Sequence, residues 1–264
     1  MADLPSQPTR LGVVEFLNTR PLIDGLADRT DLELYPAVPS RLAAMLAGGR
    51  VDAALVPVID LARAGDAWVR VSDAGIASEG ETLTVRVFSR VPPEAMTTLH
   101  VDGDSHTSVV LAQLIWRHFF KRPVTTCDLS GVAPETCESV LLIGDKVVAV
   151  PDASWPYSID LGVAWKRWTG LPFVFAAWAA PADGEDDALL ARLLSEARDR
   201  GVSRAMQLAT DFGPVHGWPT ELAAHYLTRC MRYVITPAAE EAIARFTALA
   251  AAEGFIPAAG KVIG

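Results

Sequence analysis

Short apolar runs alternate along the chain with longer stretches whose apolar positions recur every three or four residues, a pattern that predicts β-α-β units wound into mainly parallel sheets. Residues 11–16 read as the first strand. Asn18-Thr19-Arg20-Pro21-Leu22 follows at its C-terminal end, with Pro21 suited to a helix's first turn. Ser40 is placed to cap a helix that carries Leu42, Met45 and Leu46 on one face and stops at Gly48-Gly49. Residues 51–56 return as a strand. Residues 82–89 and 99–102 predict two more strands, and the intervening Pro92-Pro93 predicts the first crossing between lobes. A helix opens at Thr107 and runs through Trp116 to Phe120 on a stripe of Leu111, Leu114 and Ile115. Residues 140–143 read as a buried strand, 160–168 as a helix and 173–180 as the strand that carries the chain back. The remainder reads as helices.

The pattern therefore predicts an α/β chain of two lobes: residues 10–90 plus 180–264 form lobe one, 91–179 form lobe two, and 1–9 are a polar leader. A small ligand is expected between the lobes, at strand ends and helix N-termini.

Composition narrows the partners. Half of the 264 residues are hydrophobic, enough for a substantial core. Acidic residues outnumber basic ones by 32 to 23, a net charge of -9 with no basic block to neutralise phosphates, so nucleic acid is not expected as a partner. Helix N-termini or a few local donors can still hold an anionic small molecule. The polar first ten residues do not read as a signal peptide and no apolar run reaches the ~20 residues of a membrane span, so the expectation is a cytoplasmic protein without a membrane partner. Cys127, Cys137 and Cys230 form no CxxC pair and the five histidines no HExxH spacing, so neither a disulfide framework nor a metal is expected. Phosphate-cradling GxGxxG and GxxxxGK[ST] motifs are also missing from the chain, and no cofactor is expected.

Candidate chemistry clusters at two places. Ser105, Thr107 and Ser108 sit at the predicted helix start, where hydroxyls and free N–H groups either cap the helix or bind a carboxylate. His106 either donates to a carboxylate or points into solvent. Asn18 offers an amide that either makes a turn or holds a substrate oxygen, and Arg20 either pairs with a carboxylate or makes a surface ion pair. Asp145 follows Ile143-Gly144 at a strand end, a place suited to accepting backbone hydrogen bonds. Trp165, Trp168, Phe173 and Phe175 read as core or cleft walls. Glu15, Glu79, Glu81, Asp104 and Asp145 can each be proposed as a general base, and none sits in an acid–base motif.

Five stretches together resemble the chorismate dehydratase family of the futalosine route to menaquinone. They are Phe16-Leu17-Asn18-Thr19-Arg20-Pro21-Leu22, Val51-Asp52-Ala53-Ala54-Leu55-Val56-Pro57, Asp104-Ser105-His106-Thr107-Ser108-Val109, Leu142-Ile143-Gly144-Asp145 and the run from Trp165-Lys166-Arg167-Trp168 to Ala176. The resemblance implies a class II periplasmic-binding-protein-like fold and a carbon–oxygen lyase that dehydrates chorismate to 3-enolpyruvylbenzoate without metal or cofactor. It assigns Asn18 and Thr84 to catalysis, and Ser105, His106, Thr107, Ser108, Arg20 and Asp145 to substrate binding. Where the family commonly carries serine, this chain has Thr84 in Gly80-Glu81-Thr82-Leu83-Thr84-Val85, which keeps the hydroxyl and adds a methyl. The sister dihydroxynaphthoate synthase and a non-catalytic binder of small carboxylates share the implied fold and stand as alternatives.

Overall fold

The computed structural model describes residues 7–150, 155–184 and 187–256. Positions 1–6 of the expected leader lie outside the described residues, and Thr9 already opens the first strand. Sheet A has six strands in the order β11-β4-β10-β3-β1-β2: β1 (Thr9–Val14), β2 (Leu32–Ala37), β3 (Ala53–Pro57), β4 (Trp68–Ser78), β10 (Phe173–Pro181) and β11 (Met231–Val234). Sheet B has five in the order β7-β6-β8-β5-β9: β5 (Val85–Ser89), β6 (Thr98–Val101), β7 (Thr125–Asp128), β8 (Ser139–Ile143) and β9 (Tyr157–Asp160).

Both sheets are mixed, against the expectation of mainly parallel pairing. Among the described residues four strand pairings are parallel and five antiparallel. The antiparallel ones come from the strands that adjoin the crossings: β4 and β10 lie side by side in sheet A, and β5 is flanked by β8 and β9 in sheet B. The first crossing is residues 79–84, because Val85–Ser89 already pairs in sheet B; the Pro92-Pro93 segment lies within that half instead.

The helices fill the outer layers: α1 (Pro39–Ala47), α2 (Val58–Ala64), α3 (His106–His118), α4 (Leu161–Thr169), α5 (Asp187–Ser203), α6 (Ala205–Phe212), α7 (Thr220–His225) and α8 (Pro237–Ala252). Helix α1 buries Leu42, Met45 and Leu46 as the stripe predicts and ends at Gly48, but it starts at Pro39 with no side-chain cap, so Ser40 is inside the first turn. In α3, Leu111, Leu114 and Ile115 are fully buried. The C-terminal third contains β11 besides its helices, a strand too short to show against flanking helical periodicity.

The return to sheet A is anchored by aromatics. Trp165 of α4 meets Phe173 and Phe246 edge-on at 5.2 and 6.4 Å, and its indole Nε1 donates to the Pro172 carbonyl at 2.9 Å. Burial of each such ring contributes ~1.5–3 kcal/mol. Trp165 and Phe173 are core, whereas Phe175 turns to the cleft.

Candidate functional site

The crossing from sheet A to sheet B is held by one carboxylate. Asp160, at the end of β9, caps α4 by accepting from the N–H groups of Gly162 and Val163 at 3.0 and 3.2 Å. Its other oxygen accepts from the Thr82 N–H and hydroxyl, both at 2.9 Å, and from the Leu83 N–H at 3.0 Å. Leu83 is held at φ 58°, the left-handed region, which costs ~1–2 kcal/mol for a residue with a Cβ. Burial holds the Asp160 carboxyl above its usual value, and the hydrogen bonds from Thr82, Val163 and Leu83 offset only part of that rise. The result is a fixed crossing that delivers Thr84 into the cleft.

Thr84 is buried, and its hydroxyl lies 2.8 Å from the phenol of Tyr226 and 3.3 Å from the Thr82 carbonyl to which it donates. Tyr226 also has Asn18 as a hydrogen-bonding neighbour. Burial pushes this phenol well above its usual range, so it stays a protonated donor. Tyr226 was not singled out in the sequence. It opens a single π-helical turn, Tyr226–Cys230, and neither an isolated tyrosine nor a π turn has a pattern to read.

Asn18 belongs to a 3-10 turn, Leu17–Leu22, that follows β1 directly, where Pro21 is accommodated inside the turn. Asp145 of the Ile143-Gly144-Asp145 loop ties this turn to sheet B. It accepts from the Leu17 N–H at 3.2 Å, from the indole of Trp218 at 2.9 Å, and lies 2.7 Å from Nδ1 of His216. Arg20 completes the chain of contacts, with Nη2 3.2 Å from His216 Nε2 and its guanidinium 4.2 Å above the Phe212 ring. Burial pulls the Arg20 guanidinium below its usual value and the charge of Asp145 opposes that. Gly144 is required beside this clasp: its φ is +72° and a Cβ there would fall 2.6 Å from the Phe16 ring.

At the start of α3, Ser105 is the N-cap, accepting from the Ser108 N–H at 3.3 Å, and the Ser108 hydroxyl donates to it at 3.0 Å. Its neighbours are turned elsewhere. The Thr107 hydroxyl accepts from the Ile59 N–H at 3.3 Å in the first turn of α2, and His106 Nδ1 lies 2.7 Å from Asp60 beside Arg63. This follows from helical geometry, since successive residues point about 100° apart and one N-terminus cannot aim four side chains at one cleft.

The cleft between the sheets opens to solvent at its mouth. Asn18, Thr84, Ser105 and Ser108 meet there, with Thr82 beside them and walls that include Phe16, Ile143, Phe175 and Met231. Arg20, Asp145, His106 and Thr107 are not among its lining residues; they hold surrounding elements. Among the described residues, every polar side chain lining the cleft is uncharged: one amide and four hydroxyls. Of the other acidic candidates, Glu79 pairs with Lys166 at 3.3 Å and Asp104 with Lys146 at 2.5 Å, Glu81 lies 3.7 Å from His225 Nε2, and Glu15 is exposed outside the cleft lining. No helix among the described residues is long and apolar enough to cross a membrane.

The chain is 27% identical over 240 residues to the chorismate dehydratase of Thermus thermophilus, a match covering 84% of this chain and 88% of that one. Among solved structures it superposes on a protein from Archaeoglobus fulgidus with a TM-score of 0.73 at 15% identity, covering 96% and 100% of the two chains. It also superposes on the periplasmic aliphatic sulphonate binding protein of Escherichia coli with a TM-score of 0.65 at 13% identity, covering 96% and 89%. The fold is thus the two-lobed α/β architecture of periplasmic binding proteins, and the sequence resembles the chorismate dehydratases. The family model for menaquinone biosynthesis matches residues 9–252, and the chain belongs to that family.

Proposed function

We propose that this protein is a chorismate dehydratase, a lyase that removes water from chorismate to give 3-enolpyruvylbenzoate. The observation that carries the reading is a cleft that offers only neutral hydrogen-bonding groups to its ligand. A base must lie within hydrogen-bond reach of the proton it removes, and among the described residues no carboxylate, imidazole or amine lines this space. The substrate brings its own: the enolpyruvyl carboxylate, next to C3, takes the C3 proton. The electron pair spreads through the diene into the ring carboxylate, then expels the C4 hydroxyl, which takes the proton back from the enolpyruvyl carboxylic acid and leaves as water, so that the ring becomes aromatic and the enolpyruvyl carboxylate is regenerated.

Each cleft residue then has a task. Ser105, Ser108 and the N-terminus of α3 receive the ring carboxylate, whose charge rises in the transition state. The Asn18 amide orients the departing C4 hydroxyl. Thr84 accepts from the Tyr226 phenol and turns its own O–H from the Thr82 carbonyl to a substrate oxygen. The desolvation cost of a charged protein base is avoided, because none has to be buried.

The test is incubation of purified protein with chorismate while the aromatic product is followed, with binding measured separately. Asn18→Ala is expected to bind chorismate and lose ~100-fold or more in turnover, while Glu79→Gln and Asp104→Asn, outside the cleft, stay far from the ~100- to 10,000-fold loss of a missing base. Tight carboxylate binding without any turnover would establish a binder instead.

A further inference from the structure

Glu81, His225 and Cys230 bring three different donor types together on the far side of the crossing. Glu81 Oε2 lies 3.7 Å from His225 Nε2 and 3.8 Å from Cys230 Sγ, and all three atoms fall within 4.8 Å of one another. A tetrahedral zinc ion with bonds of about 2.0–2.3 Å spaces its ligands about 3.3–3.6 Å apart, so small rotations of the exposed Glu81 and His225 side chains complete the set.

The backbone gives the independent argument. His225 and Cys230 are five residues apart, which in an α-helix at about 100° per residue would face them about 140° away from each other. Between them runs the π turn, whose five-residue hydrogen bond from the Met231 N–H to the Tyr226 carbonyl sets residue i+5 over residue i. The rare turn is what aligns the imidazole with the thiol. Such turns cluster at functional sites, and this one serves two faces: Tyr226 toward the cleft, His225 and Cys230 toward Glu81.

We propose that Glu81, His225 and Cys230 form a binding site for a thiophilic divalent cation of the zinc class, with solvent in the fourth position. The site joins the crossing that carries Thr84 to the π turn that carries Tyr226. Without a cation, burial and the neighbouring Glu81 charge push the Cys230 thiol up to about 12, so it holds its proton. Metal binding displaces that proton to solvent and forms the metal–sulfur bond, leaving a neutral site of one divalent cation, one thiolate and one carboxylate. A mixed O, N and S donor set with a single sulfur suits zinc over calcium or magnesium, which take oxygen ligands.

Cobalt(II) is the probe, since tetrahedral cobalt with a thiolate ligand absorbs in the visible and shows a sulfur-to-metal band in the near ultraviolet. The full chain, stripped with chelator and kept reduced, is expected to bind one equivalent of cobalt with that band, and zinc to displace it. Cys230→Ser is expected to abolish the sulfur band, and Glu81→Gln and His225→Ala to weaken binding at least ~tenfold. Glu81 and His225 are about half exposed, so those variants fold even if the buried Cys230 variant does not. The site is overturned by absence of the sulfur band in the unaltered chain, by its survival in Cys230→Ser, or by unaltered affinity in either exposed variant.

Discussion

Asp145 Oδ2 lies 2.7 Å from Nδ1 of His216, joining the loop after the last parallel strand of sheet B to the segment between α6 and α7 that packs beside sheet A. The same carboxylate holds the Leu17 N–H and the Trp218 indole. It is a clasp across the two halves of the molecule. Asp145→Ala leaves two donors and an imidazole without their partner, and we expect a loss of about 1–3 kcal/mol in denaturant unfolding. His216→Ala removes one contact and should cost less. A change below about 0.5 kcal/mol in Asp145→Ala would show that the clasp does not hold the halves together.

The hydroxyl of Thr84 should matter and its methyl should not. Thr84→Ser keeps the 2.8 Å partner of Tyr226 and is expected to retain activity within about threefold, whereas Thr84→Val, nearly isosteric, should lose about tenfold or more. Tyr226→Phe combined with Thr84→Val should be far from additive, because the two hydroxyls share one hydrogen bond. Steady-state turnover of the unaltered protein, the two Thr84 variants, Tyr226→Phe and the double variant decides it, and equal rates in Thr84→Ser and Thr84→Val would remove the hydroxyl from the mechanism.

Gly162 lies where α4 starts against the first crossing, and a Cβ there would fall 2.1 Å from the Gly80 carbonyl oxygen and 2.5 Å from Thr82 Cγ2. Gly162→Ala must displace the backbone that Asp160 holds, at a cost of about 1–3 kcal/mol, and it moves Thr84 out of place. We expect a lower melting temperature together with a turnover loss greater than that of a solvent-facing Gly→Ala. Normal turnover in a folded Gly162→Ala protein would show that the position of the crossing is not critical.

Acid should weaken the joint between β8 and β6. Burial pushes the Glu138 carboxyl up, but the N–H groups of Thr97 and Thr98 donate to it at 2.7 and 2.9 Å, and together with the threonine hydroxyls they bring it below its ordinary 4.5. A carboxylate depressed in the folded state contributes stability that is present above 4.5 and is lost as pH falls through the folded value. Glu138→Gln should therefore flatten the drop in melting temperature below that pH. Parallel melting curves for the two proteins between neutral and acid pH would refute the assignment.

What the sequence determined by itself follows from short-range physics. Apolar periodicity is a property of neighbouring positions, so the α/β class, the Gly48 stop of α1 and the buried stripe of α3 are legible without any tertiary contact. The resemblance assigned eight residues to one site, and the fold brings four of them, Asn18, Thr84, Ser105 and Ser108, to one cleft while Arg20, His106, Thr107 and Asp145 lie outside its lining. Strand direction was not legible, because a buried apolar run reads alike in parallel and antiparallel sheets, and the return of β10 beside β4 is set by how the lobes close. Nor was the division of labour at the α3 start: Thr107 and His106 share Ser105's neighbourhood in sequence, yet their rotation about the helix axis sends them to Ile59 and Asp60. Tertiary structure alone decided the partners of Asp145, two of which lie 71 and 73 residues further along and one 128 residues earlier, and that of Thr84, whose Tyr226 lies 142 residues away. Nothing in a local pattern encodes such pairs, since their proximity arises only when two sheets, two crossings and a π turn have been packed into one core.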